Sequence, residues 1–375
     1  MVEIKKNRKV VMLVVTESCN LKCSYCYQSS KSKKTMPIDL AKEKLANCFN
    51  DLENFDEIEI DLFGGEPFLN PNFIIELVEW TKKQKFNKPF IFFASTNGTK
   101  IHGEIQDWLI KNKDFIWLSL SIDGNSETQN LNRSNSYSKI DLEFFRKTYP
   151  LQDVRMTINE ITLNNLFDNI KHLHDCGFIV TAAFAQDIEW LNEDNEKKLI
   201  TEVRKLCDYY IKNPQIKVCS LLDIYLPIIL TREKDNLQKK SNWCGSGTSI
   251  KAIDIEGNEY PCQIFLPSSM PNTSEWKSLD FLKTDCFRSD DCSNCLIQNI
   301  CGTCLGINLR ARGLVSKRDP SLCEFNKILA LGSSYLLGKK FAKGNFGQYK
   351  LKSEQIEAIE SIKLIQQAYS ADYKL

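Results

Sequence analysis

The amino-acid sequence predicts an α/β fold: a partial (β/α)6 barrel of the TIM type, followed by a small cysteine-rich domain and C-terminal helices. Three observations predict it. The chain has 375 residues, more than one hydrophobic core usually supports. Strand-like and helical segments alternate six times before about residue 212. Of the 15 cysteines, three lie in one loop near the start and eight lie between Cys244 and Cys323.

Each predicted strand is an apolar segment that precedes a segment with helical spacing. The first, 10–16, is a continuous β-branched run, as expected of a strand buried on both faces. The other strands are predicted at 57–63, 90–95, 116–122, 154–158 and 178–184. Because parallel strands with helical crossovers curl in one direction, the succession forms a barrel or part of one.

The predicted domain boundaries follow the change from alternation to cysteine clusters. We predict the barrel over 1–214, a lysine-rich linker over 215–240, the cysteine-rich domain over 241–330 and a helical tail over 331–375. In the tail, Ile356, Ile359, Ile362 and Ile365 predict an amphipathic helix that packs on the core.

Composition excludes several classes of function. A formal net charge of +1 gives no indication of a polyanionic partner, so nucleic acid is not expected. No apolar segment is long enough for a membrane span or a signal peptide core. Many cysteines without a secretory signal indicate metal chemistry in a reducing compartment rather than disulfides. We therefore expect a cytoplasmic protein without a membrane partner.

The segment from Thr16 to Tyr27 places Cys19, Cys23 and Cys26 in a C-x3-C-x2-C pattern. Three thiolates so close together can hold one face of an iron–sulfur cube and leave the fourth iron open. A structural zinc knuckle is the alternative, although it normally supplies four ligands. With Tyr25 before the third cysteine and an apolar strand before the first, the pattern resembles the signature of the radical S-adenosylmethionine (SAM) enzymes.

Polar residues follow the ends of the next strands, at the carboxyl edge where barrel enzymes assemble their sites. Gly64, Gly65, Glu66 and Pro67 resemble the radical SAM motif whose backbone contacts the amino group of the methionine moiety. The resemblance also places Asn97, Ser119, Ser121 and Arg133 where related enzymes bind the ribose and carboxylate of SAM. Capping and turn roles suit Ser and Asn equally well, and Arg133 as a surface charge stays open. Asp123 fits a loop cap or a substrate contact.

The later cysteines resemble the SPASM domain, the C-terminal extension of radical SAM enzymes that act on peptides and proteins. In that family the domain holds two auxiliary [4Fe–4S] clusters, which gives three clusters in all. The resemblance assigns the second auxiliary cluster to Cys292, Cys295, Cys301 and Cys323. It assigns the first to Cys244, Cys262 and Cys304, with Cys286 as a possible fourth ligand.

The chain departs from the SPASM pattern at two places. Two residues rather than three separate Cys301 from Cys304, and Ile250 stands where some members place a fourth ligand of the first auxiliary cluster. Without Cys286, that cluster has an open iron. A zinc ribbon formed by Cys292, Cys295, Cys301 and Cys304 is the alternative.

The resemblance implies that an electron donor such as flavodoxin or ferredoxin reduces the first cluster, which cleaves SAM to a 5′-deoxyadenosyl radical. We expect the radical to install a crosslink, a thioether or a C–C or C–O bond, in a ribosomally synthesised peptide. The auxiliary clusters would accept an electron or bind substrate sulfur. Only 18 residues precede Cys19, so leader recognition is expected from a separate protein or from the barrel itself. The sequence does not identify a catalytic acid or base.

Two other functions stay open. Anaerobic sulfatase-maturating enzymes, which convert Cys or Ser to formylglycine, have a similar length and layout. They place a general-base Asp directly after the cysteine equivalent to Cys262, where this chain has Gln263, an amide that takes no proton at neutral pH. From a different class, a non-catalytic iron–sulfur electron carrier would have no use for Gly64–Pro67.

Overall fold

The computed structural model describes residues 7–50, 54–186, 188, 190, 193–230, 244–270, 275–282 and 289–374. Contacts divide the chain into two compact units that interleave along the sequence. The first comprises Met1–Ile122, Gln129–Arg155 and Cys244–Lys283, and the second comprises Asp123–Thr128, Met156–Trp243 and Thr284–Leu375. The domain boundaries expected from the sequence remain predictions.

The strands and helices follow the alternation that the sequence predicts. The strands are β1 (Arg8–Thr16), β2 (Glu57–Gly64), β3 (Phe90–Thr96), β4 (Ile116–Leu120), β5 (Asp153–Ile158), β6 (Ile179–Phe184), β7 (Ile250–Ile253) and β8 (Glu259–Tyr260). The helices are α1 (Ile38–Asn50), α2 (Pro71–Lys83), α3 (Glu104–Asn112), α4 (Ser126–Asn132), α5 (Leu142–Thr148), α6 (Glu160–Leu163), α7 (Leu166–Asp175), α8 (Glu193–Lys212), α9 (Leu305–Arg312), α10 (Pro320–Ala342) and α11 (Lys352–Tyr373). The parallel sheet with helical crossovers confirms the predicted α/β class.

The first unit is built on a six-stranded sheet with the order β4-β3-β2-β1-β7-β8. Its strands pair in parallel from β4 to β7, and β8 is antiparallel to β7. β1 is central, and residues 11–16 are buried without alternation, as expected of a strand covered on both faces. β7 was not predicted: the segment after Cys244 extends the barrel sheet, with Val10 N donating to the Ser249 carbonyl oxygen at 2.8 Å.

β2 alternates because its two faces meet different surroundings. Ile58, Ile60 and Leu62 are buried, whereas the intervening acidic side chains are partly exposed. Arg8 forms ion pairs of 2.6 Å with Glu57 and with Glu59. This strand therefore leads directly from a charged face into the turn that begins at Gly64.

The second unit contains the pair of strands β5 and β6, of which β5 begins in the first unit, and a helical core. α10 packs against both α8 and α11. At Gly332 of α10 an added Cβ would lie 2.5 Å from Val203 Cγ1 of α8, so this glycine permits the close helix approach. Trp190 and Phe325 form the buried aromatic centre, with ring centroids 5.3 Å apart.

The isoleucine row expected to face the core in α11 is only half correct. Ile362 and Ile365 are buried, but Ile356 is 63% exposed and Ile359 is 41% exposed. A repeat of three residues drifts around a helix that has 3.6 residues per turn, so four such positions do not share one face. No helix of the described residues is both long and apolar enough to cross a membrane.

Candidate cofactor and cluster sites

The loop with the three clustered cysteines, residues 17–27, begins where β1 ends and is held by its backbone. Glu66 N donates to the Ser18 carbonyl oxygen at 2.9 Å. From the other side, Lys22 N donates to Ser134 Oγ at 2.9 Å. These two contacts fix the path of the cysteine loop through its peptide groups, and within the loop Leu21 N donates to Cys19 Sγ at 3.4 Å.

Gly64 and Gly65 pack directly against the cysteine loop. An added Cβ at Gly64 would lie 2.1 Å from the Thr16 carbonyl oxygen, and the φ of this residue is 153°, where glycine is favoured. At Gly65 it would lie 2.4 Å from the Ser18 carbonyl oxygen and 2.8 Å from Cys19 Cβ. The glycines therefore allow the turn assigned to SAM to approach the backbone of the first cysteine.

The rest of this turn is fixed by buried contacts of the first unit. The Gly64 carbonyl oxygen accepts a hydrogen bond from Gln28 Nε2 at 3.1 Å. Pro67 is buried and begins the short 3-10 turn Pro67–Leu69, which the Glu66 carboxylate caps at Phe68 N. Contacts within the protein thus hold the turn on both sides of Glu66.

Glu66 is 1% exposed and ties the turn to the end of β3. Its carboxylate accepts hydrogen bonds from Thr96 Oγ1 at 2.8 Å and from Asn97 N at 2.7 Å. Burial raises the pKa of Glu66, while these donors and the nearby Arg133 oppose the rise. Because its oxygens already have protein partners, this carboxylate acts as a strut between two loops.

Asn97 links β3 to the cysteine loop through a small amide network. Its Nδ2 donates to Asn20 Oδ1 at 3.1 Å, and its Oδ1 accepts from Thr99 Oγ1 at 2.7 Å. Asn20 Nδ2 in turn donates to Thr99 Oγ1 at 2.8 Å. Asn97 therefore positions the segment between the first two cysteines, whatever it also contributes to a ligand.

Arg133 is 7% exposed, so it is not a solvated surface charge. Its guanidinium lies 5.3 Å from the centroid of the Tyr25 ring, within the range of a cation–π contact. Tyr25, the aromatic residue before the third cysteine, therefore packs against the buried guanidinium of Arg133. A buried cation beside a cluster loop suits an anionic ligand such as a carboxylate.

The serine positions differ from one another. Ser119 is buried and donates to the carbonyl oxygen of Asp153 at 2.6 Å. Ser121 is partly exposed, and its Oγ lies 3.2 Å from Ser95 Oγ, which is exposed. Asp123 belongs to the second unit, where its Oδ1 accepts a hydrogen bond from Thr157 N at 3.0 Å.

The three thiols of the cysteine loop have a donor set that fits an iron–sulfur cube. Cys19 and Cys23 are partly buried and Cys26 is exposed. Burial raises the pKa of the Cys19 thiol, and a bound cationic centre offsets such a cost. Cys26 N donates to the Cys23 carbonyl oxygen at 3.2 Å, which closes the short turn between them.

The four cysteines assigned to the second auxiliary cluster all lie in the second unit. Burial raises the pKa of the Cys301 thiol to about 11. The same thiol interacts electrostatically with the other members of the set, Cys292, Cys295 and Cys323. Among described residues no three Cys, His, Asp or Glu side chains form a site for a single metal ion. A zinc site would place its thiolates about 3.8 Å from one another, given Zn–S distances of about 2.3 Å.

The residues assigned to the first auxiliary cluster are divided between the units. Cys244 and Cys262 lie in the first unit and interact electrostatically, whereas Cys304 lies in the second. Cys244 is exposed and Cys262 is buried. Cys286, the possible fourth ligand, lies outside the described residues.

The structure also locates Ile250 and Gln263, two positions where the sequence departs from related families. Ile250 is the first residue of β7, so its backbone serves the sheet. Gln263 begins a short 3-10 turn directly after Cys262 and is partly exposed.

Sequence reasoning missed the residues that hold the cysteine loop from outside. Ser134 and Asn132 contact the loop across 112 and 108 residues of sequence. Ser134 has a φ of 56°, which is uncommon for a residue with a side chain. The Asn-Arg-Ser-Asn run at 132–135 was the available signal, since Asn tolerates this conformation.

Comparison with known proteins adds independent findings. The family described as a 4Fe-4S single cluster domain matches residues 8–140. An uncharacterized protein of Methanocaldococcus jannaschii is 38% identical over 116 residues, which cover 31% of this chain but only 39% of that relative.

Two longer matches have descriptive names. The radical SAM cyclopropyl synthase TigE of Paramaledivibacter caminithermalis is 24% identical over 366 residues, covering 88% of this chain and 74% of the relative. A cysteine-type anaerobic sulfatase-maturating enzyme of Clostridium perfringens is 24% identical over 330 residues, covering 76% of this chain and 85% of the relative.

Solved structures share the fold. A histidine-tagged form of anSMEcpe with bound AdoMet has a TM-score of 0.70 at 19% identity and covers 95% of this chain and 98% of that one. Streptococcus suis SuiB bound to precursor peptide SuiA has a TM-score of 0.57 at 15% identity, covering 84% and 76%.

The cysteine loop lies within the segment that matches the 4Fe-4S single cluster domain, and the fold is shared with an AdoMet-bound structure. Over most of its length the chain is similar to relatives named as a radical SAM cyclopropyl synthase and as a cysteine-type anaerobic sulfatase-maturating enzyme.

Proposed function

We propose that this chain is a peptide maturase that oxidatively installs a crosslink in a ribosomally synthesised peptide. The observation that supports the proposal most strongly is the packing of Gly64–Pro67 against the cysteine loop. One compact unit thus contains both the turn assigned to SAM and the three thiols assigned to its cluster.

In this proposal Cys19, Cys23 and Cys26 hold a [4Fe–4S] cluster with one iron left for SAM. When bound and reduced, the cluster and SAM supply a 5′-deoxyadenosyl radical, which takes hydrogen from an unactivated carbon. The chain's part is to bind, orient and exclude water. The SAM contacts are assigned to Tyr25, Gly64, Gly65, Glu66, Pro67, Asn97, Ser119, Ser121 and Arg133.

These residues divide into two roles. Arg133, buried over Tyr25, offers charge to the SAM carboxylate, and partly exposed Ser121 offers a hydroxyl. Glu66 and Asn97 have their side-chain oxygens occupied by protein donors, so they keep the backbone of the turn and of the cysteine loop in place.

The later cysteines would hold auxiliary clusters, which would supply an electron acceptor for the oxidation or a binding site for substrate sulfur. We assign the second to Cys292, Cys295, Cys301 and Cys323, and the first to Cys244, Cys262 and Cys304, with Cys286 as a possible fourth ligand. A thiolate bound at an open iron would have a lowered pKa and would be held ready for bond formation.

Sulfatase maturation is the second candidate, because the match to anSMEcpe spans nearly the whole of both chains. Gln263 argues against it, since an amide does not accept a proton at neutral pH and a general base is needed there. The named cyclopropyl synthase among the relatives favours bond formation between substrate atoms instead.

The proposed partners are the peptide and a one-electron donor such as flavodoxin or ferredoxin. A structure of SuiB with its precursor peptide shows the fold in contact with a peptide substrate in that protein. A separate leader-recognition protein remains part of the proposal.

The test is product analysis on peptides encoded beside the gene. Reconstituted anaerobically and reduced with SAM present, the chain is expected to remove two hydrogens from such a peptide and release 5′-deoxyadenosine. Fragmentation by mass spectrometry locates the new bond. Exchange of sulfur for oxygen in a sulfatase-derived peptide, without crosslinking of any other peptide, would establish the second candidate instead.

A matched variant sharpens this test. Because Gln263 has no base role in crosslinking, Gln263→Ala is expected to keep the crosslinking rate. Absence of SAM cleavage by the parent protein would instead indicate an electron carrier.

A further inference from the structure

Among the cysteines assigned to the second auxiliary cluster, the sulfur atom of Cys301 accepts a hydrogen bond from a charged side chain. Arg318 Nη1 lies 3.1 Å from Cys301 Sγ and 3.0 Å from the Cys301 carbonyl oxygen. Two acceptors on the same residue fix the guanidinium against this cysteine. A guanidinium stays charged at any physiological pH, so the contact is charge-assisted when the sulfur is a thiolate.

The remaining donors of Arg318 extend the same argument. Its Nε is buried and has no hydrogen-bond acceptor among described residues. Such a buried donor is costly unless an acceptor satisfies it. A sulfide of a bound cluster is an acceptor of the required kind at this place, so the residues present fit an iron–sulfur cluster.

A second polar group beside these cysteines comes from the C-terminal helix α11. Tyr369 is 9% exposed and interacts electrostatically with the thiols of Cys295 and Cys301. One turn later, Tyr373 directs its hydroxyl to the Glu324 carboxylate instead. Of these two tyrosines on the same helix, only Tyr369 lies beside an assigned cluster ligand, so Tyr373 provides a matched comparison.

Arg318 and Lys327 favour the thiolate of Cys323, and the carboxylate of Glu324 opposes them. Lys327 interacts electrostatically with Cys295 and Cys323, although it also pairs with Glu324 at 2.8 Å. Cys323 lies in the first turn of α10, where the helix dipole favours negative charge. Arg318, Lys327 and the helix dipole stabilise electrons on the cluster more than they stabilise the oxidised form, whereas Glu324 has the opposite effect.

We propose that Arg318 and Tyr369 tune the cluster held by Cys292, Cys295, Cys301 and Cys323, raising its reduction potential so that it serves as an electron acceptor. Hydrogen bonds to sulfur and the net charge nearby are among the properties that set cluster potentials. The tail helix α11 thereby has a redox role as well as a packing role. This inference rests on the cluster assignment of the proposed function.

The experiment is an EPR-monitored redox titration of the anaerobically reconstituted full chain. All variants carry Cys19→Ala, Cys23→Ala and Cys26→Ala, so that only auxiliary clusters contribute. The wave that disappears when Cys292 and Cys295 are also changed to Ala belongs to this cluster. If no wave disappears, Cys292 and Cys295 do not hold a reducible cluster. This result would refute the ligand assignment independently of Tyr369.

Tyr369→Phe removes one hydroxyl and keeps the ring. We expect it to lower the one-electron equilibrium constant for reduction about tenfold, a shift of about 59 mV. Arg318→Gln, which also removes a charge, is expected to lower the reduction potential more than Tyr369→Phe does. Arg318→Lys is expected to lower it less than Arg318→Gln does. Tyr373→Phe is the matched control and is expected to leave the wave in place.

The outcomes separate tuning from structural support. Unchanged potentials in Tyr369→Phe and Arg318→Lys would overturn the proposal, as would an equal shift in Tyr373→Phe. Loss of iron from Tyr369→Phe would show that the hydroxyl holds the cluster rather than tunes it, and would overturn it too. If Arg318→Gln alone loses iron, Tyr369→Phe still decides.

Discussion

The two cysteine regions that lie within one unit each are held in different ways. In the first unit the contacts from outside the cysteine loop reach its backbone, from Glu66, Ser134 and Gly65, and the Cys19 sulfur is contacted from within the loop by Leu21 N. In the second unit Arg318 contacts the sulfur of Cys301 from outside the set, and Tyr369 interacts electrostatically with Cys295 and Cys301. The same ligand type thus has two different kinds of support.

Under the proposed function, the difference corresponds to different chemical tasks. A cluster that binds SAM at one iron needs an exact loop path and an accessible face, which backbone contacts provide. A cluster that transfers electrons needs a set potential, which donors to sulfur provide. Support for a cluster ligand is therefore informative about the role of that cluster.

Removal of the cysteine loop's thiols gives the largest expected effect. With Cys19, Cys23 and Cys26 all changed to Ala, about four of about twelve irons should be lost, because each cube holds four. SAM cleavage should fall to zero. Iron analysis and chromatography of 5′-deoxyadenosine check this, and an unchanged iron content would show that the loop holds no cluster.

Gly65→Val tests whether the turn and the cysteine loop are coupled. A side chain here meets the Ser18 carbonyl oxygen and Cys19 Cβ, so the loop must shift. We expect loss of most of the loop's iron and of SAM cleavage. Gly338→Ala is the control, since its Cβ would make only an ordinary 3.8 Å contact with Ile362. Full iron content in Gly65→Val would contradict the coupling.

Much of this first region could be predicted from the sequence, because its signals are local. The strand segments, the spacing of Cys19 to Cys26 and the turn at Gly64 each depend on a few neighbouring residues. β7 could not be predicted, since a four-residue strand is fixed by its pairing with β1 rather than by its own pattern.

The side chains that contact the second cysteine region could not be predicted from the sequence, for a related reason. Arg318 precedes a helix cap and Tyr369 lies in a mainly polar helix, so neither position has a local pattern that indicates sulfur as a partner. The same limit applies to Ser134, whose contact to Lys22 spans 112 residues. Local patterns predict elements, whereas these contacts depend on the fold.

Glu66→Gln separates the strut role from direct ligand binding. The amide keeps the size of the side chain but loses charge-assisted hydrogen bonds from Thr96 and Asn97, so the free energy of unfolding should fall by about 2 kcal/mol. Denaturant titration measures the change. The control is Glu79→Gln, at a partly exposed ion pair with Lys82, where a change below about 1 kcal/mol is expected. Equal effects of both variants would exclude a special role for Glu66.

The strand before the turn provides a smaller, pH-dependent test. Burial, with a contribution from Glu59, raises the pKa of Asp61 to about 7. Between the ordinary pKa and this value, the folded state holds a proton that the unfolded state has released. The free energy of unfolding therefore falls as pH rises through this window, by at most about 1.4 kcal/mol per pH unit.

Asp61→Asn should remove that part of the pH dependence. Urea titrations between pH 4 and pH 7 compare the slopes of parent and variant, and parallel slopes would show that Asp61 does not titrate in this window.

The most direct test of two kinds of cysteine region is EPR of the reduced protein with and without SAM. One variant keeps the cysteine loop and has Cys244, Cys262, Cys292 and Cys295 changed to Ala. The other lacks only the thiols of Cys19, Cys23 and Cys26. We predict that SAM alters the spectrum of the first variant and leaves that of the second unchanged. A SAM-dependent change confined to the second variant would contradict the account.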